Sequence, residues 1–115
     1  MRLNEIALKL GLEARAGAAG LEAAVLGGYA GDLISDVIAH AGPGVLWVTH
    51  QTHRNTVAAA VLKGLAGIVV ANGREPEKET LEKAGEENVP LLVSGLSTFE
   101  LVGRLHRLGL SGVER

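Results

Sequence analysis

Three short apolar runs constrain this chain more than any other feature: Val45–Thr49 (VLWVT), Gly67–Ala71 (GIVVA) and Pro90–Ser94 (PLLVS). Each has the length of a strand and lacks polar alternation, the pattern of a strand covered on both faces. The segments between them carry helical signals. Asn55–Leu65 is rich in Ala and Val and closes at Lys63-Gly64. Pro76 suits a first helical turn, where its missing N–H is no loss, and Glu77 and Glu79 oppose the positive end of the helix dipole, so a largely exposed helix is predicted as far as about Glu87. Strands alternating with helices predict right-handed crossovers and a small, mostly parallel sheet with helices packed on it, an α/β fold.

The flanking segments extend the pattern. Leu3–Leu10 reads as a helix stopped by Gly11, Glu13–Ala16 as a brief strand, and Gly17–Gly20 as a turn. Leu21–Gly28 reads as a short strand leading into a glycine loop. Asp32–Ala41, with Leu33, Ile34, Val37 and Ile38 on one side, reads as a helix capped by Gly31 or Asp32 and stopped at Gly42-Pro43-Gly44. Ser97-Thr98-Phe99-Glu100 matches a capping box ahead of a last helix, with Leu101, Val102, Leu105 and Leu108 as its apolar face and Gly109 as its end. The tail to Arg115 reads as loose. No linker or repeat divides the chain, so residues 1–115 are expected to form one domain with its core at about 3–110.

Composition narrows the function classes. With one Trp, one Tyr, one Phe and a net charge of −2, the chain offers neither stacking rings nor a basic groove, and nucleic acid is not an expected partner. Little net charge leaves self-association open. The absence of Cys excludes disulfides, thiolate metal sites and thiol nucleophiles. No apolar run approaches the ~20 residues of a membrane span, and the polar start is a poor signal peptide, so the expected setting is the cytoplasm, without membrane contact.

No complete catalytic constellation is visible. Neither G-x-x-x-x-G-K-[ST] nor G-x-G-x-x-G occurs. The pair Gly27-Gly28 before Tyr29 and Asp32 is a candidate anion loop, with a tight turn as the plainer reading. The loop after the first apolar run is richer. Gln51, Thr52, His53 and Asn55 lie where a parallel sheet presents its strand ends to ligands. In the plainer reading Thr52 or Asn55 caps the following helix while His53 satisfies backbone groups. His50 and His53 are spaced as a metal pair but lack a third ligand nearby, so no cofactor or metal is expected. Ser35 and Asp36 would need a distant histidine to act as a triad. His40 and His106 read as structural or solvent-facing.

Four segments together resemble one family. Gly28–Val37 (GYAGDLISDV), Leu46–His53 (LWVTHQTH), Asn72–Pro76 (NGREP) and Ser97–Leu101 (STFEL) are similar, in order, to stretches of DRTGG-type domains, themselves similar to the N-terminal domain of HPr kinase/phosphorylase. The resemblance implies a compact α/β fold and a regulatory or ligand-sensing role; such domains also occur joined to CBS modules. The literal D-R-T-G-G string is absent, with Asn72-Gly73 standing about where its glycines belong, and the kinase domain with its phosphate loop is absent.

The expectation is therefore a stand-alone regulatory module, non-catalytic and homo-oligomeric. It would bind a small anionic metabolite, a nucleotide or a regulatory protein partner through Gly27, Gly28, Tyr29, Asp32, Gln51, Thr52, His53, Asn55, Asn72 and Gly73. The alternatives are a small phosphotransferase or hydrolase using His53 with Asp32 or Asp36, and a structural assembly subunit. The binding reading requires the bends at Tyr29 and Gln51 to meet.

Overall fold

The computed structural model describes residues 1–113. Its elements run α1 (Leu3–Leu10), β1 (Glu13–Ala16), a short 3₁₀ turn (Ala18–Gly20), β2 (Gly27–Ala30), α2 (Ile34–His40), β3 (Val45–Thr49), α3 (Asn55–Lys63), β4 (Gly67–Val70), α4 (Lys78–Glu87), β5 (Leu91–Val93) and α5 (Thr98–Arg107). The five strands form one sheet in the order β1-β5-β4-β3-β2. β2 to β5 are parallel, and β1 pairs antiparallel with β5.

The apolar runs are buried on both faces because their alternate residues enter different cores. Val45, Trp47, Ile68, Val70, Leu91 and Val93 pack with Val37 of α2, Val57 and Ala60 of α3 and Ala84 of α4. Leu46, Val48, Val69 and Leu92 pack on the other side with Leu3 and Ile6 of α1 and Leu101 and Leu105 of α5. The sheet is thus the middle of three layers, and a helix on each side removes its central strands from water. Trp47 is fully buried, and its indole N–H donates to the Gly31 carbonyl at 2.8 Å.

Five local expectations change. The second strand is Gly27–Ala30 rather than Leu21–Gly28. The Gly27-Gly28 pair is not a loop: Gly27 sits opposite Val45 and Gly28 opposite Leu46, since pairing with a buried neighbour overrides the low strand propensity of glycine. α2 starts at Ile34, and Leu33 rather than Gly31 or Asp32 holds its N-cap position; the Asp32 carboxylate is engaged elsewhere. The Ser97 side chain accepts from Glu100 N as a cap should, but the Glu100 carboxylate pairs with Arg104 at 3.0 Å, so only half of the expected box forms. The tail is not loose as far as Val113: Gly28 N donates to Ser111 O at 2.9 Å and Val113 N to Gly28 O at 3.3 Å, covering the free edge of β2. Glu114 and Arg115, the rest of the expected loose tail, lie outside the described residues.

Candidate functional site

The topology leaves one natural crevice. α2, α3 and α4 lie on one face of the sheet and α5 on the other. The connections after β4 and β5 therefore diverge to opposite faces. Such a switch point at the carboxyl ends of parallel strands is where open α/β sheets hold ligands.

The loops at this end are tied to one another by side chains. Asp32, just past β2, accepts from Thr49 Oγ1 at 2.9 Å and from His50 N at 2.7 Å. Gln51 returns the connection, its Nε2 donating to the Asp32 carbonyl at 2.8 Å. Partial burial pushes the Asp32 carboxyl up; the hydrogen bonds from His50 N and Thr49 Oγ1, with the charges of His50 and Arg74, outweigh it and hold the group below its ordinary value. The His50 ring then joins the other two loops. Its Nδ1 lies 3.9 Å from Asp32 Oδ2, the Asn72 amide donates to its Nε2, and the Thr98 hydroxyl is 2.8 Å from the same nitrogen. With its proton on Nδ1 the ring leaves one acceptor lone pair at Nε2, which the Asn72 amide and the Thr98 hydroxyl share.

Asn72-Gly73 after β4 have φ of 63° and 68°, as a type I′ turn requires, and Arg74 N closes the turn on Ala71 O at 3.4 Å. The turn is locked to the loop after β5 through Asn72 N to Leu96 O at 2.8 Å and Gly73 N to Ser94 O at 2.9 Å. Arg74 is exposed beside the cluster and close enough to bias Asp32. Neighbouring cations are already engaged: Arg15 grips Glu75 through two hydrogen bonds of 2.9 and 3.0 Å, and Arg54 pairs with Glu79 at 2.9 Å. Among the described residues Arg74 makes no ion pair of this kind, so its charge faces solvent at the crevice.

The bend expected at Tyr29 lies instead at Asp32, where it meets Gln51. Asp32, Gln51, Asn72 and Gly73 gather here. Tyr29 does not: it packs on the opposite side of β2, where its hydroxyl donates to Asp36, and Asp36 Oδ1 lies 3.5 Å from His40 Nε2. Gly27 and Gly28 lie along β2 rather than beyond its end. Thr52 turns its carbonyl to α4, accepting from Glu77 N at 3.1 Å and Thr80 Oγ1 at 2.7 Å. The N-cap position of α3 is Arg54, without a side-chain cap bond, so neither Thr52 nor Asn55 supplies one; His53 does satisfy a backbone group, its Nδ1 accepting from Asn55 N at 3.2 Å. His53 forms no pair with Asp32 or Asp36, and the histidine at the carboxylate is His50. No group of three or more His, Asp or Glu gathers as a metal site among the described residues.

Four residues of the cluster escaped the sequence reading of the site: Thr49, His50, Arg74 and Thr98. His50 was legible only as half of a metal pair, because its partners lie 18, 22 and 48 residues away along the chain.

Comparison with known proteins agrees with the fold. A family model described as the DRTGG domain matches residues 17–108. No curated protein matches the sequence. Among solved structures, the chain is similar to the CBS and DRTGG domains of the regulatory region of a Clostridium perfringens pyrophosphatase, complexed with its activator diadenosine tetraphosphate. The TM-score is 0.69 at 16% identity, over 96% of this chain and 47% of that one. The present chain thus spans about half the length of that regulatory region, and at this identity the likeness is one of fold. No helix among the described residues is long and apolar enough to cross a membrane.

Proposed function

The chain belongs to the DRTGG domain family, and from that premise we propose that it is a regulatory, ligand-sensing module without catalysis of its own, working in the cytoplasm. Its ligand is a small anionic metabolite, with a nucleotide as first choice, held at the carboxyl edge of the sheet. The observation that carries this reading is the joining of four loops by Asp32, His50, Asn72 and Thr98 with the Arg74 charge beside them. A guanidinium matches phosphate or carboxylate oxygens in two-point contact. The Asn72 and Gln51 amides add polar contacts, while Asp32 fixes the loop backbone. Occupancy of the crevice would be felt by every loop at once, which is what a sensing domain needs.

The structure of similar fold was complexed with a dinucleoside polyphosphate activator of its own protein, which makes nucleotides the first class to try. The hydrolase reading is less well supported. Nδ1 of its base, His53, already accepts from Asn55 N, and Asp32 Oδ1 already accepts two hydrogen bonds. Self-association and a regulatory protein partner belong to the same proposal, since Leu33 and Phe99, 67% and 88% exposed, adjoin Asp32 and Thr98 at the rim of the cluster.

Calorimetric titration with AMP, ADP, diadenosine tetraphosphate and inorganic phosphate tests the reading. Saturable binding by at least one of them, weakened about tenfold or more in Arg74→Ala, is the expected result. Heats indistinguishable from dilution for all four, or affinities unchanged by the substitution, would remove it.

A further inference from the structure

Among the described residues nothing covers the outward face of α5, on which Phe99 is 88% exposed. Phe99 and Val102, with Thr98, Gly103 and His106, line an open hollow of about 490 Å³. A narrower cleft of about 200 Å³ beside Val102 and His106 continues it towards Gly28 and Ala30 of β2. Gly103 is the odd residue. A glycine inside a helix costs about 1 kcal/mol relative to alanine. Nothing within the chain requires one here: its φ is not positive, and an added Cβ would meet no atom within 4 Å. The gap it leaves opens outward.

We propose that this face is a homodimer surface, on which α5 packs antiparallel against α5 of a second copy about a twofold axis. The occupant follows because the stripe is its own complement. Positions 99, 102, 103 and 106 share one helical face. Read in reverse on the second copy, Phe99 meets the second copy's His106, and Val102 enters the gap left by the second copy's Gly103. Symmetry makes each contact twice, as an isologous interface requires.

The charges agree with this orientation. Glu100, which also pairs with Arg104 of its own helix, stands in the first turn of α5 and Arg107 in the last, both on the flank beside the stripe. Antiparallel packing brings like flanks together with their ends reversed, so each Glu100 lies opposite the other copy's Arg107. One pair of helices of this length lies at the small end of specific interfaces, so the dissociation constant is on the order of micromolar.

This surface gives the self-association proposed above a location; it adjoins the ligand site at Thr98, but Glu100 and Arg107 take no part in that site, so the two readings fail independently. Sedimentation equilibrium on the full chain, at concentrations bracketing that constant, should show monomer and dimer. Glu100→Arg alone and Arg107→Glu alone should each weaken the dimer about tenfold or more, and the double variant should restore it, because the reversed charges again face each other. Val102→Glu should be monomeric; should it fail to fold, the charge series on exposed positions still decides. Nucleotide titration of the single-charge variants should match wild type. A wild type that is monomeric throughout, or a double variant no better than the singles, would overturn the proposal.

Discussion

The two ends of the sheet are built from different materials. At the amino ends of the strands the chain closes on itself through backbone. Leu26 N donates to Gly44 O at 2.8 Å, Gly44 N to Gly64 O at 3.0 Å, and Ile68 N to Pro90 O at 2.9 Å. Gly17 lies against the backbone of Val89 and Pro90, where an added Cβ would overlap the Val89 carbonyl. At the carboxyl ends the loops are joined largely by side chains: Asp32, Thr49, His50, Gln51, Asn72 and Thr98. The backbone seam leaves no room for a Cβ at Gly17 or Gly44. A seam of side chains is exposed, polar and adjustable. The lower end therefore holds the fold together, and the upper end is free to carry function.

Paired substitutions separate the two ends. The largest loss is expected for Gly17→Ala. Its φ of 70° is already unfavourable for an L residue, and the collision with Val89 adds to that, for about 3 kcal/mol or more in chemical denaturation. Asp32→Asn, at the upper end, should cost about 1 kcal/mol. It weakens charge-assisted hydrogen bonds from Thr49 and His50, at the low end of their usual worth because the side chain is 53% exposed. Asp32 also sets a pH dependence. Its carboxyl is held below the ordinary 3.8, so its contribution is whole above that value and is lost as pH falls through the lowered one. Acid unfolding followed by Trp47 fluorescence should begin at higher pH in wild type than the Asn variant's smaller acid response implies, once the curves are normalised to neutral stability.

Gly73→Ala is the matched control for Gly17→Ala. Its φ of 68° is nearly the same, yet an added Cβ meets nothing within 4 Å. The cost should be about 1 kcal/mol, the conformational part alone. Equal losses at the two glycines would erase the distinction between the ends. Arg74→Ala should be the mildest, within about 0.5 kcal/mol of wild type, while removing anion affinity.

How much of this was legible follows from the range of each interaction. The central strands were readable because burial on both faces leaves a local mark, a run such as VLWVT. The α5 cap was readable because Ser97 and Glu100 are three residues apart. β2 was not, since three of the four residues of Gly27–Ala30 are poor strand formers and the segment takes its conformation from β3 and from Ser111–Val113. Asp32, Gln51, Asn72 and Gly73 could be named from their positions at strand ends. The ring that joins them could not, because the contacts of His50 with Asp32, Asn72 and Thr98 are created by the topology. His53, the more conspicuous histidine of the loop, turns its Nδ1 to a backbone amide instead.

The most direct test of a functional upper end is a two-dimensional amide NMR titration with diadenosine tetraphosphate. The account predicts that the resonances that move are those of Asp32, His50, Gln51, Asn72, Gly73, Arg74 and Thr98, while those of Gly17, Gly44 and Gly64 stay in place. Movement centred on the lower end, or none at saturating nucleotide, would contradict it.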